Sequence, residues 1–68
     1  GATNGVAVDD CYVYLANGAD GVIVLNKTNF SPIGSFSISS GSANFVTVSN
    51  GYMFVATGRD GLNYIKIN

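Results

Sequence analysis

The chain has 68 residues, 47% hydrophobic and only 10% charged, with a formal net charge of -1. That length allows one small domain at most, and the composition argues against disorder. Three scattered cations (Lys27, Arg59, Lys66) offer no basic face to nucleic acid, no apolar run nears the ~20 residues of a membrane span, and no His with a single Cys leaves no zinc set and no internal disulfide.

Val, Ile, Tyr, Phe and Thr alternate with turn residues, and Glu, Gln, His and Trp are missing altogether. No stretch carries apolar residues at helical spacing, so the chain reads as all-β. In chain order, strands are predicted at 5–8, 11–17, 21–27, 32–39, 44–49, 51–57 and 61–67.

The connections read as hairpins. Asp10-Cys11 links the first two strands, and Cys does not suit positive φ, so a turn other than type I′ is expected there. The 17–21 link, Asn-Gly-Ala-Asp-Gly, has glycines that permit left-handed backbone and an Asp20 suited to bonding nearby amides. Residues 26–32 form a polar loop closed by Pro32. The 32–39 strand alternates Ile33, Phe36 and Ile38 with small polar residues, as a peripheral edge strand should. Its phase slips by one near Gly34, which marks a bulge. Asn50-Gly51 suits a two-residue type I′ turn, and 57–61, with Asp60, repeats the 17–21 link.

The segments 11–16 and 52–56 are apolar at every position. A strand with one wet face alternates, so both faces of these two should be covered. With no helix available, other sheets must cover them.

The second part of the chain repeats the first. Residues 1–28 align with 41–68 without a gap at an offset of 40, with nine identities in 28 pairs: Gly1/Gly41, Asn4/Asn44, Val6/Val46, Val8/Val48, Tyr12/Tyr52, Ala16/Ala56, Gly18/Gly58, Asp20/Asp60 and Gly21/Gly61. A period near 40 built of strands and turns points to β-propeller blades. The expected architecture is two adjacent four-stranded antiparallel blades, residues 1–40 and residues 41–68, the second lacking its outer strand. A chain this short offsets the entropy of ordering only narrowly, even when compact. It is therefore expected to be a segment of a longer propeller, with the remaining blades as partners and an upstream segment supplying the last strand. Self-assembly of roughly three copies into a six-bladed ring is the alternative. A free-standing sandwich also fits seven strands but not the ungapped repeat.

The run Gly5-Val6-Ala7-Val8-Asp9-Asp10, then Tyr12-Val13-Tyr14-Leu15-Ala16, Asp20-Gly21-Val22-Ile23-Val24-Leu25 and Phe30-Ser31-Pro32 resembles the LVIVD-repeat family of β-propellers. Asp60-Gly61-Leu62-Asn63-Tyr64-Ile65 matches it again. Asn26 and Lys66 stand where the family often has Asp, and Cys11 where a turn Gly is usual. The resemblance implies a secreted or cell-surface binding or scaffolding module that meets a protein or glycan partner, with no reaction common to its members.

Candidate site residues each have a structural reading beside the functional one. Asp20 and Asp60 are turn builders before they are calcium ligands. Asp9-Asp10 lacks the spaced oxygen ligands of a calcium loop. Cys11 has no His to activate it and reads as a small residue packed near a turn. Asn26-Lys27-Thr28 and Asn29-Phe30-Ser31 match a glycosylation pattern that chance alone supplies at this composition. Tyr12, Tyr14, Tyr52 and Tyr64 could line a sugar-binding surface, but central-strand placement makes core packing their expected role. No catalytic triad can be assembled from these residues. The chain is read as non-enzymatic, with no catalytic, cofactor-binding or metal-binding residue. The enzyme alternative places the site of a complete propeller mostly outside this chain.

Overall fold

In the computed structural model, residues 3–38, 41–57 and 61–67 are described. They form seven strands and no helix: β1 (Gly5–Val8), β2 (Tyr12–Ala16), β3 (Val22–Asn26), β4 (Pro32–Phe36), β5 (Phe45–Ser49), β6 (Tyr52–Ala56) and β7 (Leu62–Lys66). Each lies inside its predicted segment. Two antiparallel meanders result, a four-stranded sheet β1-β2-β3-β4 and a three-stranded sheet β5-β6-β7.

Turn chemistry fixes the register. Asn50 (φ 53°) and Gly51 (φ 81°) are both left-handed, and Ser49 pairs with Tyr52, so the β5–β6 turn is the expected two-residue I′ hairpin. The equivalent β1–β2 turn has no positive φ at Asp10 or Cys11. There Asp9 Oδ1 accepts the N–H groups of Cys11 (2.8 Å) and Tyr12 (2.7 Å), a side-chain cap that replaces the left-handed pair. The predicted bulge is present: Val24 pairs with Gly34 and Leu25 with Pro32, so Ile33 is left without a partner.

The sheets pack face against face. Tyr14, Ala16, Val22 and Val24 of the first sheet meet Val46, Met53 and Val55 of the second, with Ala43 between them. Their separation is graded. Cα atoms come within 8 Å mainly between β1 and β5, and less between β2 and β5. That edge is lined by Gly5, Ala7 and Ala43, and a Cβ on Gly5 would sit 3.2 Å from the Phe45 Cα. Farther out, Tyr14, Met53, Phe36 and Ile65 fill a wider gap. Small side chains at one edge and large ones beyond it splay the sheets into a wedge. A backbone bridge between Gly18 and Ala43 (N–H to O, 3.0 and 2.8 Å) ties the β2–β3 link to the start of the second sheet.

Only one face of each central strand is covered by the other sheet. The expectation that both faces of 11–16 and 52–56 are buried is therefore met on the packed side by Tyr14, Ala16, Met53 and Val55; on the other side Val13 is buried while Leu15, Tyr52 and Phe54 are half-buried.

Candidate functional site

Two features could carry function: a cleft between the turns at one end, and the two outward sheet faces.

The cleft, about 530 Å³, opens between the β1–β2 turn and the β5–β6 turn, with Tyr14 and Ile67 in its walls. Asp9 organises one side of it. Besides capping the turn, its Oδ2 accepts the Tyr14 hydroxyl at 2.7 Å, and its carbonyl accepts Lys27 Nζ at 3.1 Å. Partial burial would raise the Asp9 pKa. The bonds from Tyr14, Cys11 and Tyr12, with Lys27 nearby, outweigh that and hold it below the usual carboxylate value. Burial, then the bond to Asp9, pushes the Tyr14 phenol well above its usual value. Tyr14 is thus a fixed donor and Asp9 a fixed acceptor. The carboxylate's directed bonds are spent on structure: both oxygens accept from the turn amides and the Tyr14 hydroxyl.

The remaining candidates are scattered. Asp10 and Cys11 are exposed at the turn, so Cys11 is not packed as expected. The Asp20 link is closed by backbone bonds, Asn17 N–H to Gly21 O (2.8 Å) and Gly21 N–H to Gly18 O (3.1 Å). Asp60 lies outside the described residues. Asn26 Oδ1 accepts Thr28 N–H (2.8 Å) and Asn29 Oδ1 accepts Ser31 N–H (3.0 Å), so both asparagines build the β3–β4 loop. Among the described residues, no three of His, Cys, Asp and Glu come together as a metal set.

The tyrosines divide. Tyr14 is core, as expected, but Tyr64 is 71% exposed and Tyr12 partly so. The correction follows from the one-sided packing: β7 turns Tyr64 to the uncovered face of its sheet. There Tyr64 stacks on Tyr52 (6.3 Å, 8° between planes), with Phe54 tilted against both. Exposed Phe45 and Leu62 extend this apolar face. The first sheet's outward face is aliphatic: Val6 and Val8 are exposed, Leu15, Ile23 and Leu25 half-buried, and Val13 buried.

Sequence reasoning missed Phe45 and Leu62. The repeat contained the signal, because the residues 40 earlier, Gly5 and Val22, lie on the packed face of the first sheet. Sheet 1 thus packs with the face that sheet 2 leaves open, and sheet 2 packs with the face that sheet 1 leaves open. That is a head-to-tail contact, and its repetition would match the aromatic face of one pair to the aliphatic face of another.

Compared with family models, with curated proteins and with solved structures, the chain matches none. No helix among the described residues is long and apolar enough to cross a membrane.

Proposed function

We propose that the chain forms two consecutive blades of a β-propeller that works as a binding or scaffolding module outside the cell or at its surface. The other blades cover its two outward faces, and its turns meet a protein or glycan partner. The observation that carries this reading is the exchange of faces between equivalent residues: Val46 is 1% exposed and Val6, 40 residues earlier, 58%. Exposed apolar surface of this extent marks an interaction site, and equal faces offset by one repeat are what stacking of further repeats consumes. The wedge adds to this, since sheets closer at one edge curve a stack around that edge, as in a ring of blades. Loops at the cleft end, including Phe30 at φ 61° with its ring exposed, supply the partner-facing surface.

Light scattering after size exclusion, with intact-mass analysis of the peak, tests the reading. Roughly three or four copies, or co-eluting heavier chains, are expected. A monodisperse monomer would leave a free-standing two-layer sandwich instead.

A further inference from the structure

Asn-Gly occurs three times in the chain, at Asn4-Gly5, Asn17-Gly18 and Asn50-Gly51. The dipeptide is chemically labile. Glycine has no Cβ to shield its backbone nitrogen, so that nitrogen can close on the side-chain carbonyl carbon of the asparagine before it. The fold treats the three pairs differently.

Asn17-Gly18 is tied at both reacting groups. The Gly18 N–H donates to Ala43 O at 3.0 Å, in the bridge that links the two sheets. Asn17 Oδ1 accepts the Thr3 hydroxyl at 2.8 Å, and Gly18 is buried. Asn4-Gly5 leads into β1. There the Asn4 N–H donates to Ala16 O at 2.7 Å, Gly5 is registered against Ala16, and a Cβ on Gly5 would sit 3.2 Å from the Phe45 Cα. Neither pair can bring nitrogen and carbonyl carbon together without opening a sheet.

Asn50-Gly51 is held in neither way. It is the whole of a two-residue turn, with ladder pairing ending at Ser49 and Tyr52. Asn50 is exposed, and among the described residues no group bonds its side chain or accepts the Gly51 N–H. Ring closure there disturbs the turn and leaves the ladder paired. Turn tips open at far lower cost than paired strands.

We propose that Asn50 is a modification site, deamidating spontaneously with water as co-reactant and so changing the charge of the cleft with time. The Gly51 nitrogen gives up its proton and attacks Asn50 Cγ. The new N–Cγ bond closes a succinimide ring, the Cγ–Nδ2 bond breaks, and the side-chain nitrogen leaves as ammonia, taking up the proton. Water then opens the ring: breaking the bond from the Gly51 nitrogen to Cγ gives aspartate, and breaking its bond to the Asn50 backbone carbonyl carbon gives isoaspartate. One water is consumed and one ammonia released, with no change of oxidation state. Asn50 lines the cleft across from Asp9 and Asp10, so either product adds a third carboxylate there. Isoaspartate also inserts a methylene into the backbone of a turn whose type I′ geometry has no room for it. The turn lies at the strand ends in a blade and in a sandwich alike, so the inference does not depend on the propeller reading.

The test is a timed incubation of the folded 68-residue chain at mildly alkaline pH in water enriched in heavy oxygen, followed by peptide mapping with mass spectrometry. Each conversion is marked by one heavy oxygen atom. Conversion at Asn50 should outpace that at Asn4 and at Asn17 by about tenfold or more, and the three rates should converge in denaturant. Equal rates at the three sites in the folded chain, or a faster rate at Asn4 or Asn17, overturn the inference. So does an Asn50 that stays unconverted in the folded chain over a time in which the denatured chain reacts.

Discussion

Val6 and Val46 are the same residue type at the same strand position of successive repeats, yet one is in solvent and the other in the core. Leu62 and Val22 differ likewise, 63% against 0% exposed. The local sequence determines that each segment is a strand and which residues share a face. Which face is buried is decided by the neighbour, and the two sheets have their one neighbour on opposite sides. The comparison separates what a repeat encodes by itself from what stacking adds.

Glycine gives the sharpest contrast between the repeats. Gly21→Ala meets both a left-handed φ and the backbone of β4, and should cost about 2–5 kcal/mol. Gly61→Ala meets only the φ cost, about 1–2 kcal/mol. Denaturant midpoints should therefore rank the variants, and equal losses would mean that β4 is not seated against Gly21.

The valines come next. Val46→Ala removes buried methyls and should cost about 2–3 kcal/mol. Val6→Ala in the dilute chain should stay within about 0.5 kcal/mol. In an assembly that covers the first sheet the two losses should converge, which thermal melts over a range of concentrations can follow.

Asp9 distinguishes the β1–β2 turn from the β5–β6 turn, where no such cap is seen among the described residues. Asp9→Ala leaves the Tyr14 hydroxyl and two turn amides without their acceptor and should cost about 1–3 kcal/mol. The Asp9 pKa is depressed in the fold, so its contribution is complete above the unfolded carboxylate value of about 4 and is lost as pH falls through the folded value. Wild type and Asp9→Asn should thus approach each other in stability below about pH 4. Tyr14 has the opposite window: its pKa is raised, so stability falls as pH climbs past about 10. Smallest is Asn50→Ala, about 1 kcal/mol for a left-handed alanine, measured by the same midpoints.

Most of the fold was legible. Period-2 patterning and Gly, Asn, Asp and Pro at the turns located all seven strands, and the phase slip between Ile33 and Phe36 located the bulge. The β1–β2 turn was legible only as an exception, because a side-chain cap such as Asp9's depends on where the backbone brings its amides. The exposure of Tyr64 and Cys11 was not legible. An apolar residue in a central or near-central strand reads as core whether or not a second sheet arrives to cover it. The aromatic face could have been found by mapping the packed face of one repeat onto the other, but that requires knowing first which face packs.

The head-to-tail match of the two outward faces is tested most directly with two complementary variants. Val6→Asp/Val8→Asp destroys the aliphatic face and Tyr64→Asp the aromatic one. Light scattering should find each variant monomeric alone and the mixture a one-to-one pair that grows no further, because each retains the face the other has lost. Continued self-association of either variant, or a mixture that stays monomeric, would contradict the stacking.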